Sequence, residues 1–234
     1  MSVDGKSNEI PSVPELLDLM DVGGAVVTLD AMHCQTETAS TIRAQGADYV
    51  LTVKGNQPTL HERLEELFLE YAEQDFRVPG LRRHVTVENA HGREERREYY
   101  AAPVPEDLRL KWKGVQSVGM VYRYRKDIVS GKIHEETMYF ISSLPPKVRT
   151  LAKYVRGHWA VENTLHWSLD VTFAEDSSRI RKGNGTEIAS IFRRLALTIL
   201  QRDTTQKENI RGKRLMAGWN TDVLEQIFTG FQRV

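Results

Sequence analysis

The chain has 234 residues, 40% hydrophobic and 27% charged, with 32 basic and 32 acidic side chains. That composition excludes a wholly disordered chain and leaves room for one substantial core, or a core carrying an additional module. A single cysteine, Cys34, excludes an intrachain disulfide and a Cys-based zinc site, and no apolar run approaches the ~18–20 residues of a membrane span. With no signal-peptide pattern at the N-terminus, the expected setting is cytoplasmic, without a membrane partner.

Pro11 and Pro14 open a short helix, PELLDLMD, with Ser12 as a candidate cap, and Gly23-Gly24 end it. AVVTLD (25–30) and ADYVLTVKG (47–55) are short, β-branched apolar runs suited to strands buried on both faces. Between them, residues 35–45 read as a helix stopped by Gly46. Leu60, Leu64, Leu67, Phe68 and Tyr71 recur at spacings of three and four, which predicts an amphipathic helix over 57–74. The alternation of helix and strand across 13–74 is α/β grammar with a parallel strand pair.

The middle of the chain changes period. Residues 82–102 and 115–144 alternate apolar and polar around turns at His91-Gly92 and Ser130-Gly131, predicting two β-hairpins or a four-stranded antiparallel piece. Pro145-Pro146 closes that region. A helix is expected over 147–170, a polar Gly-rich loop over 174–186, an apolar helix over 187–200, and a final amphipathic segment after the basic RGKR at 211–214. The expected organisation is therefore 1–80, 81–146 and 147–234. Charge follows this division. Residues 147–234 hold 15 basic and 9 acidic residues, a net of +6, balanced by −6 in 1–146. A basic third attracts polyanions; it is also what a solvated surface looks like.

Asp30 ends the first buried strand, at the sheet edge where α/β proteins bind ligands. It suits either a metal or the cap of the following segment. His158, Glu162 and His166 repeat every four residues beside Trp159 and Trp167. A metal or catalytic face and a packed i,i+4 pair both fit that spacing. Asp170, Glu175 and Asp176 suit helix ends and pairing with Arg179 and Arg181. Arg179, Arg181 and Lys182 precede two glycines, an arrangement suited to phosphate or to plain solvation. Lys54, in KGNQP, ends the second strand either as an ordinary turn or at the same rim as Asp30. Cys34 has no evident orienting base, which argues against a nucleophile.

The motifs DAMHCQ (30–35), YVLTVKGNQP (49–58) and HWAVENTLHWSLDVTFAED (158–176), with YFISSLP (139–145) and GKRLMAGWN (212–220), resemble the H-repeat-associated DDE transposases of bacterial insertion sequences. The resemblance implies an α/β, ribonuclease-H-like catalytic core with a β-rich insertion, acting in DNA transposition. It implies that Asp30 and Glu162 are the second and third catalytic acids, holding Mg2+ or Mn2+ that activates water or a 3′-hydroxyl against a phosphodiester. Lys54, Arg156, His158, Arg179, Arg181 and Lys182 would then face DNA, the element ends being the substrate. Related transposases carry Tyr, Arg and Lys around the glutamate, where this chain has Val155, His158 and Leu169. The family's first aspartate and opening hairpin have no counterpart here, because Asp4 in VDGK leaves no room for three strands before the first helix. The expectation is an incomplete core with impaired activity and an aggregation-prone sheet edge, or a catalytically dead remnant that binds DNA, a second copy or a full-length transposase. Outside the family, a metal-independent α/β interaction protein has the same composition.

Overall fold

The protein is represented by a computed structural model, which describes residues 12–90, 92–161 and 165–232. Asp4, His91 and Glu162 lie outside the described residues. The chain divides into two compact units, the boundary falling between His158 and Trp159.

The first unit is a six-stranded sheet. Helix α1 (Ser12–Asp18) leads to strand β1 (Val26–Leu29), a 3-10 turn (Ala31–His33), α2 (Thr36–Ala44), β2 (Asp48–Val53) and α3 (Pro58–Glu73). The β-branched runs pair in parallel as expected, Val26 with Asp48 through Leu29 with Leu51. Gly46 follows α2 at φ +74, a left-handed position that glycine adopts without a Cβ penalty. Strands β3 (Arg82–Ala90), β4 (Arg93–Pro103), β5 (Ser117–Asp127) and β6 (Ile133–Ser142) run antiparallel, with the short α4 (Glu106–Arg109) between β4 and β5. They are not set apart from the α/β segment. β6 pairs antiparallel with β2, so the order is β1-β2-β6-β5-β4-β3 in one sheet. The stretch expected as an insertion thus extends the same sheet.

Two buried serines hold this junction. Ser142 Oγ donates to the Tyr49 carbonyl at 2.7 Å, and Ser143 Oγ accepts from Tyr49 N at 2.8 Å while donating to Asp48. Asp48 is also paired with Arg43 of α2. The SS of YFISSLP therefore satisfies backbone groups where the parallel and antiparallel halves meet.

Side-chain alternation divides the sheet into two faces. Tyr49, Leu51, Val53, Tyr139, Ile141, Val118, Met120, Tyr100 and Ala102 share a core with Leu17, Ile42, Leu64 and Phe68 of α1, α2 and α3. On the opposite face Gly119 lies beside its cross-strand partner Phe140, and a Cβ there would come 2.0 Å from the ring. Helix α5 (Val148–Val161) reaches the same opposite face through Thr28 and Glu88.

Of the single helix expected over 147–170, the described residues comprise α5, a π-helical turn at 165–166, and α6 (Trp167–Phe173). The second unit continues with α7 (Gly185–Arg202), α8 (Ile210–Trp219) and α9 (Thr221–Gln232) around Ile199, Leu200 and Ile227. Glu175 takes Ser190 and the arginines Arg193 and Arg194 of α7, not the expected Arg179 or Arg181. Lys213, in the basic RGKR, is buried. Its ammonium caps the carbonyls of Leu200 and Asp203 at the end of α7 and pairs with the Asp203 carboxylate at 2.9 Å. Burial alone would raise the Asp203 pKa. Hydrogen bonds from Thr205, Lys213 and the amides of Thr205 and Gln206 outweigh it and hold the group at about 2.

Two measurements test this packing. Gly119→Ala should destabilise the first unit by about 1–3 kcal/mol in urea unfolding, because the Phe140 ring must move. The depressed Asp203 pKa contributes stability above the unfolded carboxyl value, and that contribution is lost as pH falls through about 2. The melting temperature of Asp203→Asn should therefore lie below wild type at neutral pH, with the gap closing between pH ~4 and ~2.

Candidate active site at the sheet rim

Parallel pairing brings the C-terminal ends of β1 and β2 side by side. With Leu29 opposite Leu51, Asp30 and Lys54 both emerge at this rim, as the strand pattern predicts. Asp30 precedes the 3-10 turn, yet its side chain makes no capping hydrogen bond there, so the cap alternative is not realised. Its Oδ1 instead faces His158 Nε2 at 3.0 Å, and the carboxylate is 61% exposed. The other imidazole nitrogen, Nδ1, lies 3.2 Å from the Thr28 hydroxyl. Thr28 and Asp30 alternate to the same side of β1, the side α5 covers, which is why one histidine reaches both.

The loops of the two motifs are stitched together by amide side chains. Asn56 donates to the Ala31 carbonyl. Gln57 donates to the Cys34 carbonyl at 2.9 Å and to Gln35 Oε1 at 3.0 Å. Cys34 is fully buried, and burial pushes its thiol up to about 12. It is a packing residue, which agrees with the absence of an orienting base in the sequence. Asn56, Gln57 and Thr28 are site residues that chemistry-bearing spacing alone did not single out. Asn56 and Gln57 could have been found as amides at a strand-to-helix turn, where side chains that bond to backbone are favoured. Nothing marked Thr28 except its place two residues before Asp30.

The remaining sequence candidates divide. Arg156 is engaged within the protein, its guanidinium 2.8 Å from Glu88 on β3. His158 is engaged with Asp30 and Thr28. Lys54, Arg179, Arg181 and Lys182 are exposed and make no ion pair among the described residues. His166 is exposed, and Glu162 lies outside the described residues. No group of three or more His, Cys, Asp or Glu among the described residues is arranged to hold a metal. Among the described residues Asp30 Oδ2 has no hydrogen-bond partner, and it is a hard oxygen of the type Mg2+ prefers. No helix among the described residues is long and apolar enough to cross a membrane.

Because Cys34 is buried with a raised pKa, the native protein should resist iodoacetamide and the denatured protein should take up one equivalent. Rapid labelling of native protein, read by mass spectrometry, would contradict the buried setting.

The chain is similar to "H repeat-associated putative transposase YhhI" of Escherichia coli K12, 37% identical over 98% of this chain and 61% of that protein. It is similar to "Putative protein YbfL" of the same strain with the same identity and coverage, and to "Putative transposase YncI" of E. coli O157:H7, 38% identical over 97% of this chain and 58% of that protein. The chain spans about three fifths of the length of these curated relatives. Residues 1–199 match the transposase DDE domain, and the chain belongs to that family.

Proposed function

We propose that the chain contributes to DNA transposition as the metal-dependent strand-cleavage and strand-transfer part of an insertion-sequence transposase, with Asp30 and Glu162 as metal-holding acids. The observation that carries the reading is the rim itself: an exposed carboxylate at the end of a parallel strand pair, held by a histidine from the segment in which the family's glutamate falls. A ribonuclease-H-like core is the architecture this reading assigns to the mixed sheet. Mg2+ or Mn2+ bound there would activate water or a 3′-hydroxyl and stabilise charge on the phosphodiester. The chain's own part is to aim Asp30 Oδ2 outward and to hold the rim rigid through Asn56 and Gln57. Lys54, Arg179, Arg181 and Lys182 serve as phosphate contacts in this reading, being exposed and unpaired among the described residues. Arg156 and His158 are withdrawn from that group because they are already engaged.

A second reading is DNA binding without cleavage, in company with a second copy or a longer transposase; it is supported by the exposed Lys54, Arg179, Arg181 and Lys182, which need no metal to meet phosphate.

DNA binding should weaken with salt at a log–log slope of about 0.9 per phosphate contact, and Gln at positions 179, 181 and 182 together should flatten it by about 2–3. Any nicking of supercoiled plasmid should need Mg2+ or Mn2+ and vanish in Asp30→Asn. Binding without nicking would favour the second reading. Undiminished nicking by Asp30→Asn, or no DNA binding at low salt, would overturn both.

A further inference from the structure

We propose that Thr28 and His158 form a positioning relay that fixes the rotamer of Asp30 and leaves Oδ2 as its metal-facing oxygen, an inference that rests on the metal-site reading above. The geometry is a chain of three side chains: Thr28 Oγ1, 3.2 Å, His158 Nδ1; His158 Nε2, 3.0 Å, Asp30 Oδ1. An ionised carboxylate only accepts hydrogen bonds, so Nε2 carries the proton toward Asp30. In the neutral ring Nδ1 is then an acceptor, and the Thr28 hydroxyl donates to it. One tautomer satisfies both contacts at once: the carboxylate selects it, and Thr28 holds the ring in the plane that serves both.

The relay answers a mechanical need. Asp30 follows a four-residue strand, and its side chain has no capping bond to its own turn. At 61% exposure, a carboxylate without a partner would sample its rotamers freely. His158 comes from a helix 128 residues away and is itself mostly buried, its side chain 18% exposed, so it supplies a fixed donor. Carboxylate ligands oriented by such outer partners lose about 10–100-fold in metal affinity when the partner is removed. His158 is a positioning residue here: it acts on the metal through Asp30 and supplies no ligand of its own.

The test is Mn2+ binding to the whole chain, followed by electron paramagnetic resonance of free Mn2+, together with 15N spectra of the His158 ring at mildly alkaline pH. The expected spectrum is the Nε2–H tautomer in wild type, with the resonance of the unprotonated Nδ1 shifted in the nearly isosteric Thr28→Val as its hydrogen bond is lost. Mn2+ affinity should fall about 10-fold or more in His158→Phe and measurably in Thr28→Val. The double variant should be no weaker than His158→Phe, because Thr28 acts through the ring. His158→Gln, which keeps a donor toward Asp30, should recover part of the loss. An Nδ1–H tautomer in wild type overturns the relay whether or not metal binds, and so covers a variant that fails to fold. Wild-type affinity in both single variants, with Asp30→Asn defective, overturns the relay and leaves the metal reading standing. Affinity undiminished by Asp30→Asn, or no Mn2+ binding by wild type, overturns the metal reading and the relay with it.

Discussion

The rim depends on one pairing: β1 against β2, in parallel, over four residues. Parallel strands end on the same side, so two loops that are 24 residues apart in sequence, beginning at Asp30 and Lys54, leave the sheet together. A four-residue ladder is a weak anchor by itself. Its ends are reinforced by side chains that bond to backbone. Ser142 and Ser143 fasten the start of β2, and Asn56 and Gln57 fasten the loop after β1. Ser143 Oγ accepts from the Tyr49 amide, and the other three side chains donate a hydrogen bond to the carbonyls of Tyr49, Ala31 and Cys34.

On the face that α5 covers, a second constraint is electrostatic. Arg97 is nearly buried, and its guanidinium lies between Glu95 at 2.7 Å and Glu88 at 3.4 Å. Glu95 also takes Arg123, and Glu88 takes Arg156 from α5. Positive and negative groups alternate from β5 across β4 and β3 to the helix. Burial pushes Glu88 upward, but Arg156 and Arg97 outweigh it and keep the carboxyl below its ordinary value. The Arg156–Glu88 end is more than two-fifths exposed on both partners, so it orients the helix more than it stabilises it, contributing about 1 kcal/mol or less. Two residues further along the helix, His158 reaches the opposite edge strand. Arg156 and His158 thus relate α5 to both edges of the sheet.

Local pattern made the elements legible, and the contacts between them were not. Strands 25–30 and 47–55, the helix over 57–74 and the four antiparallel strands follow from apolar spacing and glycine turns. The position of Asp30 at a strand end was readable for the same reason. His158 was singled out for its spacing to Glu162 and His166, a relation within one helix. Its observed partners are Thr28 and Asp30, and no local spacing encodes a contact across 128 residues. The joining of β6 to β2 was hidden likewise, since an antiparallel run reads the same whether it stands alone or extends another sheet. The motif letters did carry the information in another form. DAMHCQ, KGNQP and YFISSLP supply groups that bond to each other's backbone or secure the adjoining strand end.

The basic character of residues 147–234 also changes meaning once partners are assigned. Lys213 serves Asp203 and the end of α7, Arg193 and Arg194 serve Glu175, and Arg214 lies over the Phe173 ring while donating to the Thr172 carbonyl. Pairing within the segment leaves its net charge unchanged, whereas the pairing of Arg156 with Glu88 of β3 neutralises one positive charge from outside it. Among the described residues, Arg179, Arg181 and Lys182 make no ion pair and fall within four residues of one loop. A polyanion meets that local density, not the neutral total of the chain. A zero formal charge overall is therefore compatible with a locally basic surface.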